Sequence, residues 1–123
     1  MVLSGFRDDL FARKVVLVTG AARGIGLATS QAFASLGARV VMVDRDGEEL
    51  AEAVRAVGQG HLALPLDIAD YGAVSRGAAR VGKDMGAVDV VVNNAGIFER
   101  SPVTDPESVE AWRRIMSVNA DGP

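Results

Sequence analysis

The chain has 123 residues, the length of one ordinary domain, and at 49% apolar and 24% charged it has the make-up of an average globular protein with a real core. Its net charge of −3 gives no electrostatic reason to expect a nucleic-acid or anionic-membrane partner, and no apolar run reaches the ~18–20 residues that span a bilayer. With no Cys and one His, disulfides, thiolate metal sites and multi-His metal sites are excluded, which fits a cytoplasmic protein.

Residues 1–14 carry no sustained apolar stretch, so no signal peptide is expected. Val15-Val16-Leu17-Val18 is a β-branched apolar run that ends at Thr19-Gly20. A helical segment follows, with Ile25, Ala28, Ala32 and Leu36 expected on one face, and Gly37 stops it. A second strand over residues 39–43 ends at Asp44. Asp46-Gly47-Glu48-Glu49 has the acidity a helix first turn prefers, and Leu50, Ala53, Val54 and Val57 continue at helical spacing. After the Gly58-Gln59-Gly60 break, residues 61–66 read as a third strand ending at Asp67. Asp70 is placed as the N-cap of a helix whose stripe is Tyr71, Val74, Ala78, Val81 and Met85. Gly86 ends that helix, and residues 88–92 form a fourth strand. Asp105-Pro106 marks one more helix start, with Val109, Trp112, Ile115, Met116 and Asn119 on one face.

The order βαβαβαβ, followed by the start of a helix, predicts an α/β fold. Strands so uniformly apolar are buried on both faces, which requires a parallel sheet with helices on either side. Right-handed crossovers make a doubly wound, Rossmann-like sheet the economical topology. There is no repeat and no low-complexity linker, so a single domain over residues 1–123 is expected.

Fourteen residues are Gly, above the average of about 7%. Three of them stand in Thr19-Gly20-Ala21-Ala22-Arg23-Gly24-Ile25-Gly26, between the first strand and the first helix. A dinucleotide pyrophosphate needs a tight turn, a backbone without Cβ obstruction, and a helix N-terminus aimed at it. Gly20 is assigned the turn, Gly24 the close approach and Gly26 the tight helix packing. The spacing is G-x-x-x-G-x-G, weak as a bare pattern. Strand before and helix after favour nucleotide binding over a purely structural turn.

Together with Asn93-Asn94-Ala95-Gly96 after the fourth strand, this run resembles the short-chain dehydrogenase/reductase family, and the resemblance extends from about Lys14 to Pro123. It implies NAD(P)-dependent interconversion of a secondary alcohol and a ketone, a small-molecule substrate and a homo-oligomeric parent protein. Asp44 is placed to accept hydrogen bonds from both adenosine ribose hydroxyls. It also faces any 2′-phosphate: two like charges about 4 Å apart at an effective dielectric near 20 repel by roughly 4 kcal/mol. NAD is therefore expected over NADP. Arg45 and Arg23 are the cations that would soften this repulsion. The resemblance assigns Asp67 to the adenine amino group, with Ile68 covering the ring. Asn94, Ala95 and Gly96 would border the ribose, and Asn93 is given a structural role in pinning strand ends.

The lone His61 is expected at the rim of the sheet, and Glu99, Arg100 and Ser101 lie in a loop that could border a substrate. The family's catalysis uses a Tyr whose pKa is lowered by a Lys four residues on, with a Ser to polarise the carbonyl and an Asn to orient a water. Asn119 matches that Asn. The single Tyr is Tyr71, and the residue four later is Ser75. The expectation is thus a cofactor-binding N-terminal part of a longer dehydrogenase, inactive by itself. The alternatives are a non-catalytic NAD-binding or sensing module, a sheet completed by another chain, and a different enzyme on the same fold class.

Overall fold

The computed structural model of the protein describes residues 9–94. Seven elements follow one another: β1 (Val15–Thr19), α1 (Gly24–Ser35), β2 (Arg39–Asp44), α2 (Gly47–Val57), β3 (Leu62–Pro65), α3 (Tyr71–Asp84) and β4 (Val90–Val92). The four strands are parallel and lie in the order β3-β2-β1-β4. The expected α/β doubly wound architecture is therefore present.

Alternation along β1 and β2 divides the interior in two. Val16, Val18, Val40 and Met42 point to the face where Leu50 and Ala53 of α2 are buried and where Leu27, Phe33 and Ala34 of α1 pack. Val15, Leu17, Val41 and Val43 point to the other, against Val81 of α3 and Met85. The first two crossovers step from β1 to β3 in one direction. The third returns past β1 to β4, and keeping the same hand while reversing direction puts its helix on the opposite face. Between β1 and β4 the strand order reverses, the place at which open α/β sheets bind ligands.

Three elements depart from the sequence reading. On α1 the expected stripe is rotated: Ile25 is 54% exposed, while Gly26 and Ser30 are buried. The helix turns its small residues inward because its first turn approaches backbone, and Ser30 Oγ can bury itself by donating to the Gly26 carbonyl at 2.9 Å. β4 is shorter than residues 88–92. Asp89 ends the ladder by accepting from Val15 N–H through Oδ2 and donating its own N–H to the Val15 carbonyl, both at 2.8 Å. Tyr71, placed in the apolar stripe of α3, is 57% exposed at the helix start. The expected last helix over residues 105–119 lies outside the described residues.

Candidate functional site

The site is built where β1 gives way to α1. Thr19, the last residue of β1, is buried. Its hydroxyl donates to Asn93 Oδ1 at 3.1 Å and accepts from Asn94 N–H at 3.0 Å. One side chain therefore clamps the end of β1 to the segment that follows β4. Asn93 has the strand-pinning role expected of it.

Beyond Thr19 the chain turns at Gly20 with φ +62°, a conformation open to glycine. Asn94 Nδ2 donates to the Gly20 carbonyl at 3.2 Å. Gly26 sits over the same carbonyl: a Cβ there would collide with Gly20 O and come within 2.8 Å of Asn94 Nδ2. The first turn of α1 thus packs on the loop and on Asn94, more closely than any side chain permits. A Cβ on Gly24, by contrast, would meet nothing within 4 Å.

How the three helices begin sets α1 apart. Asp46 Oδ1 caps α2 by accepting from Glu49 N–H at 3.0 Å, and Asp70 Oδ1 caps α3 by accepting from Ala73 N–H at 3.1 Å. The N-cap of α1 is Arg23, with no side-chain cap and no acidic residue in the first turn. No side-chain cap therefore satisfies its leading N–H groups, at the end of the helix where its dipole is positive. Ile25 rises exposed from that turn.

Asp44 ends β2 beside this loop. Oδ2 accepts from Ala22 N–H and Oδ1 from Asp46 N–H, each at 3.1 Å. An ionised carboxylate has about four acceptor positions, so the carboxylate can take these bonds and still accept from a diol. Arg23 reaches across to α2, with Nη2 2.7 Å from Glu49 Oε2 and 3.7 Å from Asp46 Oδ2. The Asp46 carboxyl is held below its ordinary value, chiefly by the backbone hydrogen bond from Glu49 and further by the Arg23 charge. Arg45 follows on the exposed side of the turn. Sequence reasoning missed Glu49 and Asp46 as partners of Arg23. The acidic first turn was its only signal, and the pairing depends on β2 lying beside β1.

The third strand end is arranged differently. Asp67 is exposed and folds its Oδ1 back to accept from Ala69 N–H at 2.9 Å, while Ile68 packs on the α3 side of the core. Asn94 is 9% exposed, and among the described residues its Oδ1 is buried without a hydrogen-bond partner. His61 precedes β3, and its Nδ1 accepts from Val40 N–H at 3.0 Å, adding a side-chain rung at the start of β2. Burial, and after it the Arg39 charge, push the His61 pKa down. Ala95, Gly96, Glu99, Arg100, Ser101 and Asn119 lie outside the described residues.

A family model for short chain dehydrogenases matches residues 14–123. The chain belongs to the short-chain dehydrogenase family. Among curated proteins it is 38% identical to galactitol 2-dehydrogenase of Agrobacterium fabrum, over 89% of this chain and 43% of that one. It is 35% identical to meso-2,3-butanediol dehydrogenase of Serratia marcescens, over 91% and 45%. A solved short-chain dehydrogenase relative, L-sorbose reductase of Gluconobacter frateurii in complex with NADPH and L-sorbose, superimposes with a TM-score of 0.77 at 29% identity, over 89% of this chain and 48% of that chain. Another, 3-ketoacyl-(acyl-carrier-protein) reductase of Brucella melitensis with NADH, gives 0.70 at 28% identity, over 85% and 48%. The chain spans somewhat under half the length of these short-chain dehydrogenases. The first of these structures holds NADPH and the second NADH. Among the described residues no helix is long and apolar enough to cross a membrane.

Proposed function

We propose that this chain is the dinucleotide-binding portion of an NAD-dependent short-chain dehydrogenase. The parent reaction is reversible hydride transfer between a nicotinamide and the carbinol carbon of a small secondary alcohol. The observation that carries this reading is the helix start at α1, the one without a side-chain cap among the described residues, reached over Gly24 and flanked by the Asp44 carboxylate. α2 and α3 satisfy their first N–H groups with Asp side chains, whereas α1 leaves its own for a diphosphate.

The donor set suits each part of a dinucleotide. Thr19, Gly20, Arg23, Gly24, Ile25 and Gly26 form the turn that receives the pyrophosphate, with Ile25 giving apolar cover from the helix start. Asp44 accepts from the two ribose hydroxyls, and Arg45 borders them. Asp67 and Ile68 take the adenine, whose amino group competes with Ala69 N–H for the carboxylate. Asn94, whose Oδ1 has no partner among the described residues, and the following Ala95 and Gly96 are assigned to the ribose side of the site. The bound nicotinamide supplies the hydride acceptor, and Asn119 is assigned the water-orienting role of the family. The 123 residues hold no Tyr-x-x-x-Lys sequence, since Tyr71 is followed four positions later by Ser75. Binding without turnover is therefore the property assigned to these residues alone.

A small alcohol or ketone as substrate is supported by the names of the relatives, galactitol and meso-2,3-butanediol dehydrogenases. A cytoplasmic location and homo-oligomeric assembly of the whole enzyme belong to the same reading by family likeness. Isothermal titration with NAD and with NADP tests it. NAD is expected to bind at least tenfold more tightly, a modest part of the roughly 4 kcal/mol charge repulsion at Asp44. Equal affinities would remove the NAD preference, and no binding of either would remove the function.

A further inference from the structure

The loop that would receive the dinucleotide is fastened at two successive residues, the first to the end of β2 and the second to the start of α2. Ala22 N–H donates to Asp44 Oδ2 at 3.1 Å. Arg23, next in the chain, pairs with Glu49 Oε2 at 2.7 Å and stands 3.7 Å from Asp46 Oδ2. Asp46 is itself joined to both acidic neighbours, since its N–H donates to Asp44 Oδ1 and its Oδ1 accepts from Glu49 N–H. The contacts close a ring: Ala22, Asp44, Asp46, Glu49, Arg23. Within it one guanidinium is set against three carboxylates.

This arrangement has a consequence for a ligand whose ribose lies at Asp44. A 2′-phosphate brings a second negative charge to a carboxylate and needs a nearby cation to offset it. Arg23 is on the correct loop to provide one. To do so it must leave Glu49, a partner at charge-assisted hydrogen-bond distance, in a pair whose Arg23 and Glu49 side chains are 70% and 36% exposed. A free 2′-hydroxyl makes no such demand, because it donates to Asp44 and leaves Arg23 in place. We propose that Glu49 is a specificity-determining residue, which positions Arg23 on α2 and so withholds it from a 2′-phosphorylated dinucleotide. This rests on the dinucleotide reading above and adds to it a residue outside the Gly run and the β2 end.

Glu49 acts here through Arg23, which separates its effect from simple charge removal. Glu49→Gln keeps the side-chain shape and leaves the Asp46 cap intact, because that cap uses the backbone N–H of residue 49. Titration of the protein with NAD and NADP is expected to show a three- to fivefold tighter NADP complex in Glu49→Gln, the scale of one exposed ion pair. NAD affinity should change less than about twofold on the same scale. The decisive comparison is the same substitution in an Arg23→Ala background, where the ratio of the two affinities should not move. Arg45 is common to all four proteins, so it cancels. An unchanged ratio in Glu49→Gln overturns the proposal. A gain that persists without Arg23 also overturns it, because Glu49 would then act by its own charge.

Failure of the parent reading is seen elsewhere, in the unsubstituted protein. If that protein binds the two dinucleotides equally, the NAD preference falls while the four-protein comparison still decides whether Glu49 restrains Arg23. If it binds neither, both fall. A thermal melt unchanged between Glu49→Gln and the parent chain confirms that the fold is not the variable.

Discussion

Replacing Gly26 by Ala puts a methyl group where the first turn of α1 rests on the loop. The new Cβ would overlap the Gly20 carbonyl oxygen and approach Asn94 Nδ2 to 2.8 Å. The nearest of these atoms is backbone, which no rotamer change can move aside. Either α1 lifts or Gly20 and Asn94 shift, and the second route breaks the Asn94 Nδ2 bond to the Gly20 carbonyl. Overpacking costs about 1–3 kcal/mol, and a clash with backbone belongs to the upper part of that range, about 2–3; the better helix propensity of Ala returns at most about 1. The net loss is about 1–2 kcal/mol, a fall in melting temperature of roughly 4–16 °C for a domain of this size. Thermal unfolding followed by far-UV circular dichroism measures it, and titration with NAD follows the accompanying loss of affinity, expected to be several-fold. A Gly26→Ala protein that melts at or above the parent temperature and binds NAD as before would refute the close-packing argument. The methyl would then have fitted, and the helix would have gained its propensity.

Two further outcomes follow from buried contacts. Thr19→Val keeps the shape of the side chain but removes the hydroxyl that joins Asn93 and Asn94, leaving the Asn94 N–H poorly satisfied. A loss of about 1–3 kcal/mol, read from the urea midpoint at constant slope, is expected; an unshifted midpoint would show that the clamp is dispensable. The pKa of His61 is pushed down in the fold by burial and by Arg39, and its Nδ1 must stay unprotonated to accept from Val40 N–H. The unfolded chain then binds the proton more readily, so stability is full above about pH 6.5 and declines as the pH falls through that value. His61→Asn preserves an acceptor without the titration, and its stability between about pH 7.5 and 5.5 should be flatter than the parent's. Parallel slopes would remove His61 from the account.

Much of this molecule was legible in its residues one by one. Apolar β-branched runs separated by helical spacing identified the four strands, because burial on both faces leaves no polar position to spare. Asp70 was readable as an N-cap and Asp46-Gly47-Glu48-Glu49 as an acidic helix start, because capping chemistry is local, as was the glycine turn after β1; that Asp46 is itself the cap came from the structure. The face of α1 was not. A search for large apolar residues favours Ile25, yet the helix buries Gly26 and Ser30. What it meets at that end is a carbonyl and an amide, and periodicity carries no mark of such a neighbour. Nor did the residues show that Thr19 would hold Asn93 and Asn94 from across the sheet.

The division has a physical cause. Hydrophobic period, capping and turn chemistry act within a few residues, so the composition of each segment determined its type and the parallel α/β class. The pairing of Arg23 with Glu49, the hydrogen bond from Ala22 to Asp44 and the rung from Val40 to His61 arise between segments about 20 or more residues apart. They exist because β2 lies between β1 and β3, with Thr19 level with Val43 and Val43 level with Leu64. Strand order and register are settled by the packing of the whole sheet against its helices, and only the tertiary structure could decide them.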